Sequence, residues 1–317
     1  MNPPIKNAPR KILCAIASTT VPDEPGLVIA EADRRAAKQC LELAANVGAE
    51  VRFVHVVDFL DARGHDAVPL VQKLVRDELS PGMLRLIADA KKLDVEASYV
   101  FTRGKAWYKL LREAHRFSAD LLVLSPRRDK VSFGDRVLHG STAARVLRKA
   151  QCAVWVVDPR KAAAPKRVLA LVDDTEVSVP VVHAAEMVAA AFGAERLALH
   201  CMDYPNDIVL IRMPNAQRAI DEYHDEVLEG ARARLRKLTG GKPAGWTLLF
   251  EDDWVVRKAP DVVADQSIDM VVLGSLSNKA LAGVLLGTTA EKLLERCQVS
   301  AFVVRPDDWV SPVQFDS

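Results

Sequence analysis

Apolar residues in this chain gather into short unbroken runs, separated by longer stretches in which they recur every three or four positions. ILCAIA (Ile12–Ala17), VRFVHVV (Val51–Val57), VEASYVF (Val95–Phe101), DLLVL (Asp120–Leu124) and AVWVV (Ala153–Val157) are the runs of the first half. Short apolar runs of this kind suit strands covered on both faces of a parallel sheet. Between them, Glu24–Val47 places Val28, Ala32, Ala36, Cys40, Leu43 and Ala44 on one helical face, with Gly48 where a C-cap belongs. Ala106–Phe117 and Ser141–Arg148 read as further helices. Asp61–Leu93 is partly amphipathic and carries Ser80-Pro81-Gly82, a turn signal that also suits a helix start. Strands alternating with helices predict a doubly wound parallel sheet.

The order then repeats. VLALV (Val168–Val172), a helix over Val179–Phe192 with Gly193 behind it, and RLALHCM (Arg196–Met202) follow one another. A long helical stretch (Pro205–Leu238), a strand (Trp246–Phe250), a helix (Val256–Ala264) and the segment Ile268–Pro306 complete the second round. LHGSTAARVLRKAQCAVWVV aligns without a gap on LLGTTAEKLLERCQVSAFVV, 147 residues later. Two copies of one α/β module are therefore expected, residues 1–158 and 159–317, each a five-stranded doubly wound parallel sheet. Asp158–Lys166 (DPRKAAAPK) reads as an exposed linker between them.

A chain of 317 residues is long enough for two domains of ordinary size, and its formal net charge of +1 gives no global pull toward nucleic acid or an anionic membrane. The start MNPPIKNAPR has no apolar core, and no run reaches the ~20 residues of a membrane span, so a cytoplasmic protein is expected. Cys14, Cys40, Cys152, Cys201 and Cys297 are scattered without a C-x-x-C pair and read as buried small hydrophobes. His200 and Cys201 are neighbours on a strand and point to opposite faces, so no metal is expected. Neither G-x-S-x-G, H-E-x-x-H nor G-x4-G-K-[ST] occurs, and no base–nucleophile pair can be assigned. An enzyme is not expected.

Candidate chemistry concentrates in IDMVVLGSLSNKALAGVLLGTTAEKLLERCQVSAFVVRP, residues 268–306. Gly274 ends a buried strand, and Gly287-Thr288-Thr289 opens a helix with Ala290, Leu293 and Leu294 at helical spacing. Free amides at such a helix start attract anions, and glycine lets a phosphate approach the backbone. Turn and cap roles would explain the same residues without a ligand.

Gly274-x2-Ser277-x9-Gly287-Thr288, with Asp173 after VLALV, resembles the G-x2-G-x9-G-[S/T] signature and first-strand aspartate of the universal stress protein family. The duplication, the helical insert after the second strand and the tail RPDDWVSPVQFDS are similar to its tandem two-domain members. The resemblance implies that Asp173, with Asp174 beside it, meets a nucleoside, that Leu273 and Gly274 border it, and that Cys201 lines the base pocket. It implies that Leu276, Ser277, Gly287, Thr288 and Thr289 face the phosphates of ATP or a related nucleotide, with Mg2+ entering only with the nucleotide. The expected role is a non-catalytic, ligand-binding regulator that answers to stress-response protein partners; a weak ATPase would lack an identifiable base.

Departures from the pattern matter as well. Ser277 replaces the second motif glycine. In the first half Ala17 replaces the aspartate, Ser125 and Arg128 replace the first two glycines, and Gly140-Ser141 comes two residues late. That half is expected to be degenerate and to shield its partner. Arg127, Arg128, Lys130 and Arg136 read as a solvated basic loop, and Trp107 and Tyr108 as packing residues. The alternative is a nucleotide-independent protein working through its surfaces or an apolar, lipid-accepting groove near the insert, where Ile208, Leu210, Ile211 and Met213 cluster. The family pairs through its fifth strands, so Val154–Val157 and Phe302–Val304 are expected to pair within one chain, making a pseudo-dimer that runs as a monomer or weak homodimer.

Overall fold

The computed structural model describes residues 8–20, 26–57, 68–126, 141–161, 163–240, 245–275, 286–306 and 308–315. Arg127, Arg128, Lys130, Arg136 and Gly140 of the first half, and Leu276 and Ser277 of the second, lie outside them.

In the first half the elements are β1 (Lys11–Ile16), β2 (Ser18–Thr20), β3 (Leu27–Ile29), α1 (Glu31–Val47), β4 (Glu50–Val57), α2 (Val68–Lys92), β5 (Ala97–Arg103), α3 (Ala106–Phe117), β6 (Leu121–Leu124), α4 (Ser141–Lys149) and β7 (Ala153–Val156). The second half adds β8 (Arg167–Val172), α5 (Ser178–Phe192), β9 (Glu195–Met202), α6 (Asp207–Leu210), α7 (Ala216–Leu238), β10 (Trp246–Asp252), α8 (Val255–Asp265), β11 (Met270–Gly274), α9 (Thr288–Arg296) and β12 (Ser300–Val304).

The halves join edge to edge. Their strands form one ten-stranded sheet in the order β10-β9-β8-β11-β12-β7-β6-β1-β4-β5. Within this sheet every pairing inside a half is parallel, while β7 and β12 run antiparallel, with Val156, Trp155 and Val154 opposite Ala301, Phe302 and Val303. The expected fifth-strand pairing is therefore present. It buries two edges that would otherwise present unpaired backbone. One apolar layer, under α1, α2, α5 and α7, runs across both halves on one face, and a second, under α3, α4, α8 and α9, covers the other. Among the described residues, no helix is long and apolar enough to cross a membrane.

Four expectations are corrected. The first helix begins at Glu31, because Pro22, Pro25 and Gly26 oppose a helix and Gly26 sits at φ +107°; the antiparallel β2–β3 ribbon takes the preceding residues. Helix α2 continues through Pro81, and the Ser80 hydroxyl donates back to the Arg76 carbonyl at 2.6 Å. The insert is two helices, α6 and α7, divided by Asn215 in the left-handed region (φ 60°). The linker is exposed only in part: Arg160, Lys161, Ala163 and Lys166 are exposed, but Asp158 is fully buried and held by Arg160, and Lys161 pairs with Asp269 at 3.1 Å.

Candidate functional site

The carboxyl ends of β8, β9, β10 and β11 surround a cavity of about 340 Å3. Its walls carry Asp173, Cys201, Leu273, Gly274, Gly287 and Thr289, six of the ten residues singled out in the sequence. In open α/β sheets ligands bind at this edge, where strand order reverses. Here β8 lies between β9 and β11, so the chain leaves its first strand in opposite directions on either side of Asp173.

Each candidate has an assignable position. Asp173 follows β8 and ties the start of α5: its Oδ1 accepts Thr175 N–H at 3.0 Å and the Ser178 hydroxyl at 3.0 Å. The helix itself has no side-chain cap, so the carboxylate braces the turn before it while also lining the cavity. Asp174 turns away and pairs with Arg234 of α7 at 2.7 Å. Burial first, and the Glu251 carboxylate second, push the Cys201 thiol up to about 12, so it lines the wall as a neutral group. Thr288 opens α9 with an exposed side chain off the cavity wall.

Helix α9 begins without a side-chain cap. Gly287 is its N-cap, with extended backbone (φ −66°, ψ 145°), and its own N–H goes to the Ser275 carbonyl at 2.8 Å. The amides of Thr288, Thr289 and Ala290 have no acceptor within the helix, as in any first turn. Beside them the Ser275 hydroxyl lies on the cavity wall, buried and without a hydrogen-bond partner among the described residues. Among the described residues, a buried hydroxyl and the first-turn amides of α9 at one cavity both lack an acceptor.

Residues not singled out in the sequence complete the walls. Asp203 follows β9, and Asp253 and Trp254 follow β10. One cue was available: Asp253 stands where the first copy has Gly104, and both adopt positive φ, 147° and 128°. Behind the first strands, Nδ1 of His55 lies 2.8 Å from the Ile16 carbonyl and Nδ1 of His200 3.2 Å from the Val172 carbonyl. These paired histidines brace the strand ends from which Ala17 and Asp173 leave.

In the first half, register makes Ser125 the counterpart of Gly274, and its hydroxyl too is buried without a hydrogen-bond partner among the described residues. A second cavity, about 680 Å3, opens between β3, α1 and α2, with Ile29, Leu41, Leu79 and Leu86 as its floor. Near the insert the apolar cluster is outside rather than inside: Ile208 is 71% exposed and Ile211 68%. Trp107 packs edge-to-face on Tyr108 at 5.7 Å, as read from the sequence. Among the described residues no group of three or more His, Cys, Asp or Glu side chains is placed to hold a metal.

Comparison with known proteins agrees with this architecture. The model of the universal stress protein family matches residues 29–158 and again 165–305. A universal stress protein of Methanocaldococcus jannaschii is 28% identical over 129 residues, 40% of this chain and 75% of that protein. A putative universal stress protein structure from Pseudomonas aeruginosa superposes with a TM-score of 0.65 at 17% identity, covering 95% of each chain. One from Archaeoglobus fulgidus gives 0.66 at 15% identity, covering 93% of this chain and 98% of that one. Matched twice along its length, the chain belongs to the universal stress protein family.

Proposed function

We propose that the second half binds an adenine nucleotide, ATP or a related one, and that occupancy alters a surface read by stress-response partners in the cytoplasm. The observation that carries this reading is the convergence of the Ser275 hydroxyl and the uncapped amides of α9 on one cavity. Phosphate oxygens supply the acceptors that these donors lack, and the helix dipole favours negative charge there. Gly274 and Gly287 add no side chain of their own at that end. Asp173 retains Oδ2 for a ribose hydroxyl while Oδ1 holds the helix start. The chain acts by binding rather than by catalysis, and Mg2+ arrives with the nucleotide.

Ser125 and Ala17 in place of glycine and aspartate support a first half that does not bind nucleotide in this way. Residues 1–158 then form a partner domain and 159–317 the binding domain.

Thermal melting of the full chain with and without millimolar ATP and Mg2+ tests the proposal. Ligand at a hundred times Kd adds about 2.7 kcal/mol to the folded state, so a rise of several degrees is expected. A melting temperature indifferent to ATP would overturn it. A second reading, a carrier of apolar ligands, is favoured by the larger cavity between α1 and α2 and not by the insert. Native mass spectrometry of the purified chain separates the two, by a co-purified nucleotide or a co-purified lipid.

A further inference from the structure

We infer that Trp254 is the base-stacking wall of the second-half cavity, so that the ligand lies with its base against Trp254 and its anionic end at α9. The inference rests on the nucleotide reading, which already sets the anionic end at α9, and adds a specificity residue to it.

Trp254 stands apart from the other tryptophans. Trp155 and Trp246 are buried and Trp107 and Trp309 half-buried, whereas Trp254 is 49% exposed at the cavity wall. Leaving a large aromatic in water forgoes much hydrophobic stabilisation, so an exposed indole at a cavity mouth points to a ligand surface. Its placement also requires an unfavourable backbone. Asp253, the residue before it, takes φ 147°, where a side chain is disfavoured and where the first copy uses Gly104. The Asp253 carboxylate holds the turn by accepting the Trp254 N–H at 2.6 Å. Lys292, reaching from α9, sets its ammonium 4.6 Å from the centre of the indole ring. Lys292 is not on the cavity wall, whereas Trp254 is, so the cation steadies the ring and leaves a face for the ligand.

Charge gives the direction. Strand order places Trp254 and Asp253 after β10 and Asp203 after β9, with Gly274 ending β11 and Ser275 following it on the far side of β8. Three inter-strand steps of about 4.8 Å separate β10 from β11, roughly 14 Å in all. That span accommodates a base, a pentose and a phosphate laid across the strand ends. The Asp203 and Asp253 carboxylates accept hydrogen bonds from a base amine or ribose hydroxyls but repel phosphate; the α9 amides do the reverse. A ligand lying the other way round would bring like charges together.

The test is titration of the full chain with AMP, IMP and ribose 5-phosphate by calorimetry, for the parent, Trp254→Ala and Trp254→Phe. Base–aromatic stacking is worth about 1–3 kcal/mol per base, or roughly 5- to 150-fold in affinity. AMP is expected to bind Trp254→Ala at least about tenfold more weakly than the parent, with most of the loss restored in Trp254→Phe. Ribose 5-phosphate, which has no base to stack, should bind all three alike, and IMP, which lacks the amine, should bind the parent more weakly than AMP. Unchanged AMP affinity in Trp254→Ala overturns the stacking role alone. Equal binding of IMP and AMP overturns the carboxylate-facing orientation. A parent chain that binds none of the three overturns the nucleotide reading and this inference with it. Because Trp254 is half-exposed, its variants fold, and quenching of parent fluorescence by AMP gives an independent readout of the stack.

Discussion

Asp158 and Arg305 hold the same position in the two copies, VVDP against VVRP, and each is buried against the other half. After β7 the chain crosses to the second half, where the Asp158 N–H donates to the Ser300 hydroxyl at 3.0 Å and Arg160 reaches the Gln298 carbonyl. After β12 it crosses back, and Arg305 donates to the Leu147 carbonyl at the end of α4. The copies are thus bound by a reciprocal exchange of strand ends as well as by the β7–β12 ladder.

The two residues are expected to respond differently to substitution. The Asp158 carboxylate accepts Arg160 N–H at 2.9 Å and its guanidinium at 2.8 Å, so Asp158→Ala strands satisfied donors. The expected loss is about 2 kcal/mol, at the level of hydrogen bonds to a charged group. Arg305 lies over the Trp309 ring but keeps Nε and Nη1 buried without a hydrogen-bond partner among the described residues, and burial pushes its pKa down to about 10. Arg305→Met removes those unmet donors and should stay within about 1 kcal/mol of the parent. Urea midpoints of the two variants measure the contrast; equal losses would show that the exchange is symmetric in energy as well as in place.

The tail caps α4 from the other half. Trp309 Nε1 donates to the Ala150 carbonyl at 2.9 Å and the Ser311 hydroxyl to the Lys149 carbonyl at 2.6 Å, while Gln151 Nε2 donates to the Trp309 carbonyl at 2.7 Å. Phe315 packs beside Tyr108 with ring centres 5.4 Å apart. Truncation after Pro306 is expected to lower stability by roughly 2–4 kcal/mol, about one per lost hydrogen bond plus packing. Hydrogen exchange should quicken first in residues 141–150. Unaltered protection there would mean that α4 needs no help from the tail.

Trp155 sits opposite Phe302 in the central ladder and packs against Phe192 with ring centres 6.1 Å apart, fully buried. Trp155→Ala should cost about 3–5 kcal/mol through the cavity it leaves. Trp155→Phe should cost less than about 1.5 kcal/mol, since the indole N–H has no partner among the described residues to lose. Denaturation curves of the pair decide between packing and polar anchoring as the role of this side chain.

Asp253→Gly removes the side chain from a backbone conformation that glycine tolerates. The melting temperature of the variant is expected to rise by a few degrees while AMP binding weakens, because Trp254 loses its fixed approach. A fall in melting temperature would contradict the strain assigned to this turn.

Cys201 should resist alkylation. With the thiol pushed up to about 12, the thiolate fraction at pH 8 is about a thousandfold below that of a free cysteine. Labelling by iodoacetamide should therefore rise about tenfold per pH unit through pH 11 and slow further with nucleotide bound. Folding raises this pKa, so the associated stability is present below 9.0 and is lost as pH climbs from there toward 12. Rapid labelling of Cys201 at pH 7 by mass spectrometry would show a more open wall.

Hydrophobic patterning was sufficient for the parallel strands, the duplication and the strand that ends at Gly274, because a strand buried on both faces needs a continuous apolar run. It also marked Gly287-Thr288-Thr289 as a helix start, since a helix opening after a glycine is a local feature. Where local signals compete, the pattern failed. Pro81 reads as a break, yet packing of α2 on the sheet carries the helix through it. Asp158-Pro159 reads as a linker, yet the facing Ser300 and the neighbouring Arg160 draw Asp158 into the interior. Ser275, Asp203, Asp253 and Trp254 carry no distinguishing spacing of their own. They converge only because β9, β10 and β11, distant in sequence, end at one edge of the sheet. The sequence by itself determined two α/β copies and the places where their chains turn. The tertiary structure decided which turns meet, because strand order, not spacing along the chain, sets what lies beside what.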